Sequence, residues 1–290
     1  MVGSLLRAEF LQLLFRRRVS ASLVGVVLLG IALPVWLLGD MPPMTGDTMV
    51  SAQASYVDSL RDGTCDTCSP TDFLYGYRSF GALISDDLGP ASLLTALIVF
   101  MVVVVYVAAD FSSGALSTQL TFTPARRSVL AARCIGAGLL GATLMGLGTV
   151  TSLGVSVVWY MAMHGVGSIG VAPGAAAFIC AAVLYGAFIG IIGALLVFLT
   201  NGPVWAALLA GGVLAVNLTV SSEVSLSKAV VLRSLMPVYQ GSVLLTGEAL
   251  EYSYEALGTG RLEAVVYHLL VIMLLAVVTV PVFDRRDIRA

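Results

Sequence analysis

Charge is the scarcest property of this sequence. Only 11% of its 290 residues are charged, whereas soluble domains carry about 25%. The stretch from 134 to 222 contains no Asp, Glu, Lys or Arg. Because a folded surface with so little charge could not be solvated by water, the composition predicts an integral membrane protein. The net charge of −2 also argues against a basic nucleic-acid-binding protein.

Sequence motifs for nucleotide binding and for hydrolysis are missing as well. Lys228 is the single lysine, and no G-x-x-x-x-G-K-[ST] loop surrounds it, which excludes nucleotide binding in the P-loop manner. Neither a G-x-S-x-G elbow nor an H-E-x-x-H helix is present. We therefore expect this chain not to be an enzyme, to have no catalytic residue and to hold no metal or cofactor of its own.

Long apolar runs fill most of the chain. A membrane-spanning helix needs about 20 predominantly apolar residues. Six segments meet or approach this length, at about 19–39, 91–109, 134–163, 175–199, 204–220 and 264–283. Glycine and proline within 164–174 and 200–203 divide the uncharged block into separate helices. The predicted fold class is an all-α integral membrane protein with six transmembrane helices in a single domain, 1–290.

The arginines orient the predicted spans, because cytoplasmic loops of membrane proteins carry an excess of Lys and Arg. With the N-terminus inside, most of the basic residues fall on the inner side: Arg7, Arg16, Arg17, Arg18, Arg126, Arg127, Arg133, Arg285, Arg286 and Arg289. The sequence therefore predicts cytoplasmic N- and C-termini, outer loops at 40–90 and 221–263, and a multi-pass location in a bacterial inner or plasma membrane.

The N-terminal segment 1–18 pairs an apolar helical face with the triplet Arg16, Arg17 and Arg18. This pattern predicts an amphipathic interfacial helix whose arginines reach the lipid headgroups at the membrane surface. The alternative to an interfacial helix is a first span that begins early. The alternative to a first span is a cleaved signal peptide. The apolar run is longer than a signal core and no clear A-x-A site follows it, so a retained first span is favoured.

The first predicted outer loop contains the only closely spaced cysteines, Cys65 and Cys68 in "CDTC". Disulfides persist outside the cytoplasm, so this pair is a disulfide candidate. Free thiols, or a redox or metal-binding role, are the open alternatives.

The second predicted outer loop contains an apolar segment, 227–247, that is too interrupted to span the membrane. Such a segment can dip into the membrane only where protein buries its irregular backbone. We therefore expect a re-entrant-like segment before the sixth helix.

Small residues spaced by four occur in the third and fourth predicted spans. The pairs Ala142–Gly146 and Gly148–Ser152 precede the series Gly186, Gly190 and Ala194. Small residues at this spacing let helix backbones approach closely in a membrane, so these spans predict a tightly packed bundle.

The stretch "DFSSGALSTQLTFTPARRSVLAAR" at 110–133 places charge between two apolar runs. Asp110 is suited to cap a helix that begins at Phe111. On that helix Phe111, Leu116 and Leu120 share one face, which predicts an exposed apolar strip beside the membrane.

A second helix is expected after this strip. Pro124 suits its first turn, and Arg126, Arg127 and Arg133 precede the third span. From these residues alone, a connector that sets topology through snorkelling arginines is the alternative.

The whole pattern resembles the permease subunit of an ABC type-2 transporter. The likeness rests on Asp110, Gly114, "TPARRSVLAAR" and the terminal "FDRRDI". It extends over essentially the whole chain through the six spans, the N-terminal helix and the interrupted segment. Two departures are Asp110, where the family often has Glu, and Ala115, where Thr often follows the glycine.

The resemblance implies the membrane-spanning subunit of an ATP-driven exporter. Two such subunits, a second copy or a paralogue, would pair around a pathway, each resting on a cytoplasmic ATP-binding subunit that holds ATP and Mg²⁺. The resemblance assigns contact with that ATPase to Asp110, Phe111, Gly114, Leu116, Leu120, Pro124, Arg126 and Arg127. An ion-coupled or passive transporter, or a non-transporting membrane scaffold subunit, is the alternative function.

Overall fold

The computed structural model describes residues 15–39, 45–64, 68, 70–73, 80–122, 125–165, 174–223, 236–247 and 260–285. All regular structure in these residues is helical. The helices are α1 (Arg17–Leu38), α2 (Gly46–Arg61), α3 (Gly89–Ser112), α4 (Ala115–Phe122), α5 (Arg126–His164), α6 (Gly174–Thr200), α7 (Pro203–Glu223), α8 (Pro237–Thr246) and α9 (Arg261–Arg285). A 3₁₀ turn at Pro70–Phe73, a helical turn at Phe80–Ala82 and a π-helical turn at Leu83–Leu88 precede α3.

Five helical segments are long and apolar enough to cross a membrane. They are α1, the continuous stretch Leu83–Ser112, α5, α6 and α9. This is the character of a multi-pass membrane protein. The predicted span at 204–220 coincides with α7, in which the apolar stretch Pro203–Val213 is shorter than a full span. The count of six spans therefore stays a prediction.

Helix α5 is longer than a span requires. Its 39 residues measure about 58 Å, against a hydrocarbon core of about 30 Å. The predicted span 134–163 covers only the later part of this helix, so the extra turns carry Arg126 and Arg127 beyond it. A single rigid helix thus connects the arginine-rich end of the molecule to the interior of the bundle.

The outer surfaces of the bundle are apolar. Trp36 on α1 and Val277 on α9 are more than two-thirds exposed. Further exposed aliphatic side chains follow along both helices: Val24, Leu28, Ile31, Val35, Val266, Leu270, Met273 and Leu274. Contiguous apolar surface of this kind is unusual for a protein in water and suits helices that contact lipid or another membrane helix.

The closest helix crossing in the bundle joins α5 to α6. Gly141 and Gly186 face each other so closely that a Cβ atom on either would overlap the carbonyl oxygen of the other. Gly190 stands in the same way against the carbonyl of Ala137. The spacing of four in both helices puts these residues on one face of each. On α5 the closest contact therefore uses Ala137 and Gly141, which are not among the pairs that the sequence suggested.

The Gly148–Ser152 pair of α5 packs against α1 instead. The Ser152 hydroxyl donates a hydrogen bond of 3.0 Å to the Gly30 carbonyl oxygen. A Cβ atom on Gly30 would lie 2.8 Å from the Gly148 carbonyl oxygen, so glycine is required for this approach. Helix α5 is therefore the central element, with small residues on two faces.

The short helix α8 is enclosed by the bundle. Residues 240–245 are all buried, and the polar Ser242 is fully buried with its hydroxyl bonded to the Tyr239 carbonyl. Arg261 of α9 donates to the carbonyl oxygen of Thr246 at 3.0 Å, which satisfies the last turn of α8. This part of the predicted segment 227–247 is thus helical and buried by protein. Its entry into the membrane stays a prediction, since 227–235 lies outside the described residues.

Candidate functional site

Asp110 lies inside a helix and does not cap one. The apolar run of α3 keeps its helical backbone through Ser112, and Gly114 then ends it with a φ of 69°. This left-handed conformation costs glycine little, and it lets the chain turn into α4 at Ala115. The prediction that Asp110 caps a helix beginning at Phe111 is therefore wrong, because the preceding run continues past the acid.

Asp110 is instead the centre of a buried charge cluster. Its two carboxylate oxygens each contact a guanidinium group at 2.5 Å, Oδ1 that of Arg16 and Oδ2 that of Arg133. The side chains of Asp110 and Arg133 are 1% and 3% exposed, and that of Arg16 is 29% exposed. Two arginines therefore share one carboxylate.

Neighbouring polar and aromatic groups complete what we call the Asp110 cluster: Arg16, Tyr106, Asp110, Gln119 and Arg133. Arg133 donates to the Gln119 side-chain oxygen at 3.0 Å, and the Arg16 guanidinium lies 5.0 Å from the centre of the Tyr106 ring. These residues come from the start of α1 and from α3, α4 and α5. Four chain segments are therefore joined at one end of the bundle.

A second arginine contact joins the start of α5 to the end of α9. Arg126 donates to the carbonyl oxygens of Phe283 and Asp284 at 3.2 and 3.1 Å. The last carbonyl groups of a helix have no partner within it, so a donor placed there satisfies groups that would otherwise need water. Arg127 pairs with the Asp284 carboxylate at 2.9 Å, but the arginine is 78% exposed, so the pair contributes little. Arg126 and Arg127 are thus in direct contact with Phe283 and Asp284.

The apolar strip of the 110–122 stretch packs inward. Phe111 meets Phe198 of α6 edge to face at 5.1 Å, and Phe198 meets Phe283 of α9 at the same distance. Leu116 is 1% exposed and Leu120 packs against the same core. The expectation of an exposed strip is therefore wrong, because the helices of the bundle themselves cover it.

The opposite side of α4 is open. Thr118 and Thr121 are exposed, with their hydroxyl groups bonded to carbonyls one turn earlier in the helix. Phe122 at the end of the helix is 83% exposed. This phenylalanine, which the sequence did not single out, is the large apolar group that α4 presents outward.

The remaining predicted site residues are placed as follows. Arg17 and Arg18 are exposed in the first turn of α1, so the described part of 1–18 joins the first span. Cys68 is disulfide-bonded, whereas Cys134 and Cys180 are free. Pro124, Cys65 and residues 1–14 lie outside the described residues.

A buried histidine is the other notable polar group within the bundle. His268 on α9 is 2% exposed, and its ring is surrounded by those of Tyr185, Phe188 and Tyr267 at 5.3 to 5.5 Å. Its Nδ1 lies 2.7 Å from the Ala264 carbonyl oxygen, one turn earlier in the same helix. This environment is that of a packed, hydrogen-bonded side chain.

Within the part of the chain that the structure describes, no three His, Cys, Asp or Glu side chains are grouped to hold a metal ion. The carboxylate of Asp110 is engaged by two arginines, so its place in the molecule is structural. The fold and this charged end are those of a helical, multi-pass membrane protein whose helices are joined at one end by ion pairs as well as by apolar contacts.

Comparison with known proteins identified no relative of this chain. No family model matches the chain, and neither a curated protein nor a solved structure matches it.

Proposed function

We propose that this chain is the permease subunit of an ATP-driven exporter of the ABC type. In this proposal it lines the substrate pathway together with a second copy or a paralogue, and a separate cytoplasmic subunit hydrolyses ATP. The observation that carries the proposal is α4, a short helix between two long apolar helices. One side of α4 is fixed to the bundle and the other is open.

The inner side of α4 is attached firmly enough to transmit a displacement. Leu116 is buried against the core, and Gln119 accepts a hydrogen bond from Arg133 of α5. Arg133 in turn holds Asp110 of α3. A partner that moved α4 would therefore move α3 and α5 as well. A partner shifts a conformational equilibrium only through contacts that differ between the states, and α4 offers such a contact.

The outer side of α4 suits a protein groove. Phe122 with the exposed Thr118 and Thr121 gives a short helix with one apolar anchor and a polar surround. Helices with an apolar anchor commonly bind in a groove of a partner. The positive-inside rule predicts that this end is cytoplasmic, where an ATPase would be found.

The absence of a P-loop sequence fits this division of work. Without a G-x-x-x-x-G-K-[ST] loop the chain has no P-loop site for the phosphates of ATP, so ATP and Mg²⁺ would be held by the partner subunit. The chain itself is then not an enzyme, and its task is to couple α4 to the spans.

The test is purification of the tagged full chain from its native membranes in mild detergent. We expect a protein with a P-loop sequence to be recovered in a constant ratio to the chain, and the eluate to hydrolyse ATP. Absence of such a protein would contradict the proposal. Flux along an ion gradient in ATP-depleted vesicles would instead support an ion-coupled or passive transporter.

A further inference from the structure

A groove runs along the surface of the bundle between α1, α3 and α5. Its volume is about 420 Å³. Leu97, Met101 and Leu140 are among the aliphatic side chains that line it, and its polar lining groups belong to Arg18, Ser22 and Tyr106. The Ser22 hydroxyl donates to the Arg18 carbonyl oxygen at 2.9 Å, so it is already used within α1. The groove is therefore apolar along its length and cationic at one end.

The length of the groove matches one membrane leaflet. Leu97 and Tyr106 lie nine residues apart on α3, which corresponds to about 13 Å along the helix. Half of the hydrocarbon core of a bilayer measures about 15 Å. Because the groove opens beside exposed apolar side chains such as Ile98 and Val105, an acyl chain is the natural occupant of its interior.

Two arginines at the cationic end of the groove are accessible to an anion. Arg17 and Arg18 are exposed, and neither forms an ion pair with another described residue. The Asp110 cluster lies next to them, and its Tyr106 lines the groove. Arginines recognise phosphate groups well because the guanidinium group offers several donors at once.

We propose that this groove binds an anionic phospholipid from the leaflet on the arginine-rich side. One acyl chain lies against Leu97, Met101 and Leu140, and the phosphate group contacts Arg18 and Arg17. A free phosphate ion would use only the rim, whereas a lipid uses the rim and the aliphatic lining together. This site is independent of the proposed transport function, since it requires only the fold of α1, α3 and α5.

The experiment is native mass spectrometry of the delipidated full chain in detergent. Phosphatidylglycerol and phosphatidylcholine with identical acyl chains are added in equal amounts, and the two bound populations are compared. We expect phosphatidylglycerol to be retained in preference, and Arg18→Gln to reduce that preference about fivefold. Met101→Trp, which fills the groove, is expected to reduce the binding of both lipids.

Two matched variants give the controls. Arg285→Gln removes another exposed arginine from the same end of the molecule, and Leu94→Trp enlarges an exposed residue on the same helix but outside the groove. Both are expected to bind lipid as the unsubstituted chain does. The proposal is overturned by equal retention of the two lipids, by a loss with Arg285→Gln as large as with Arg18→Gln, or by displacement of the lipid by inorganic phosphate alone. Unchanged binding in folded Met101→Trp would likewise contradict it.

Discussion

Individual charged residues matter unusually in a chain that nearly avoids charge. Asp110 and Arg133 are both almost fully buried, and their ion pair places opposite charges side by side inside the bundle. Taking two charges out of water is costly, so such a pair adds little net stability compared with apolar residues of the same size. Removing one partner is strongly destabilising, because the remaining charge stays buried. We therefore infer that the Asp110 cluster contributes to the specificity of helix packing more than to net stability.

We predict that Asp110→Ala destabilises the protein by about 3–5 kcal/mol, since it removes the carboxylate that contacts both the buried Arg133 and Arg16. Asp58→Ala is the matched control, because Asp58 forms an exposed pair with Arg61 within α2. Its expected effect is within about 0.5 kcal/mol. The thermal unfolding midpoints of the two variants in detergent provide the measurement. Equal midpoints would show that Asp110 does not hold the cluster together.

At the scale of elements, the closest contact is the crossing of α5 and α6. Gly141 and Gly186 bring two backbones together without side chains between them. Contacts of this kind provide dispersion and packing energy in a membrane, where there is no hydrophobic drive for helices to associate. The crossing also orients α5, whose first turns carry Arg126 and Arg133. Packing in the bilayer thus determines where the charged end of α5 lies.

We expect Gly141→Ala to cost about 1–3 kcal/mol, because the added methyl group overlaps the Gly186 carbonyl and forces the helices apart. Gly154→Ala on the same helix is the control, since nothing lies within 4 Å of a Cβ atom at Gly154. That change is expected to be neutral or slightly stabilising. Unfolding midpoints in detergent compare the two, and a neutral Gly141→Ala would contradict the observed crossing.

Five long apolar helices were predictable from the sequence because apolar length is a local property. The predicted 175–199 and the observed Gly174–Thr200 differ by one residue at each end. The partners of Asp110 were not predictable in this way. Arg16 lies 94 residues away in the chain, and only the folded bundle brings the two together. The available signal was physical: an isolated acid beside a membrane span needs a cation.

The orientation of α4 was also beyond the sequence. Its periodicity identifies an apolar face with Leu116 and Leu120, but periodicity does not say what covers that face. In the structure the bundle covers it, and the outward group is Phe122. The sequence of a short amphipathic segment therefore predicts the helix and its apolar face. Whether the same chain or a partner buries that face depends on tertiary contacts.

On the scale of the whole molecule, the two ends of the bundle differ. One end is tied by arginines, through the Asp110 cluster and through the contact of Arg126 with the end of α9. The other end is filled by the buried helix α8, which Arg261 holds at the start of α9. In the proposed function the arginine-rich end receives movement from an ATPase through α4, and the helices carry it through the membrane.

The central claim is that α4 couples this chain to an ATPase, and ATP hydrolysis by the purified assembly tests it most directly. The tagged chain is recovered from native membranes as wild type, as Phe122→Asp and as Leu262→Asp, and the ATPase rate is measured per mole of chain. Leu262 is similarly exposed, but it lies at the opposite end of the bundle. A charge placed where one phenylalanine makes an apolar contact costs enough binding free energy to lower the ATPase rate about tenfold or more. We predict that loss for Phe122→Asp and an unchanged rate for Leu262→Asp. Equal rates in all three proteins, or no ATP hydrolysis with the wild type, would contradict the account.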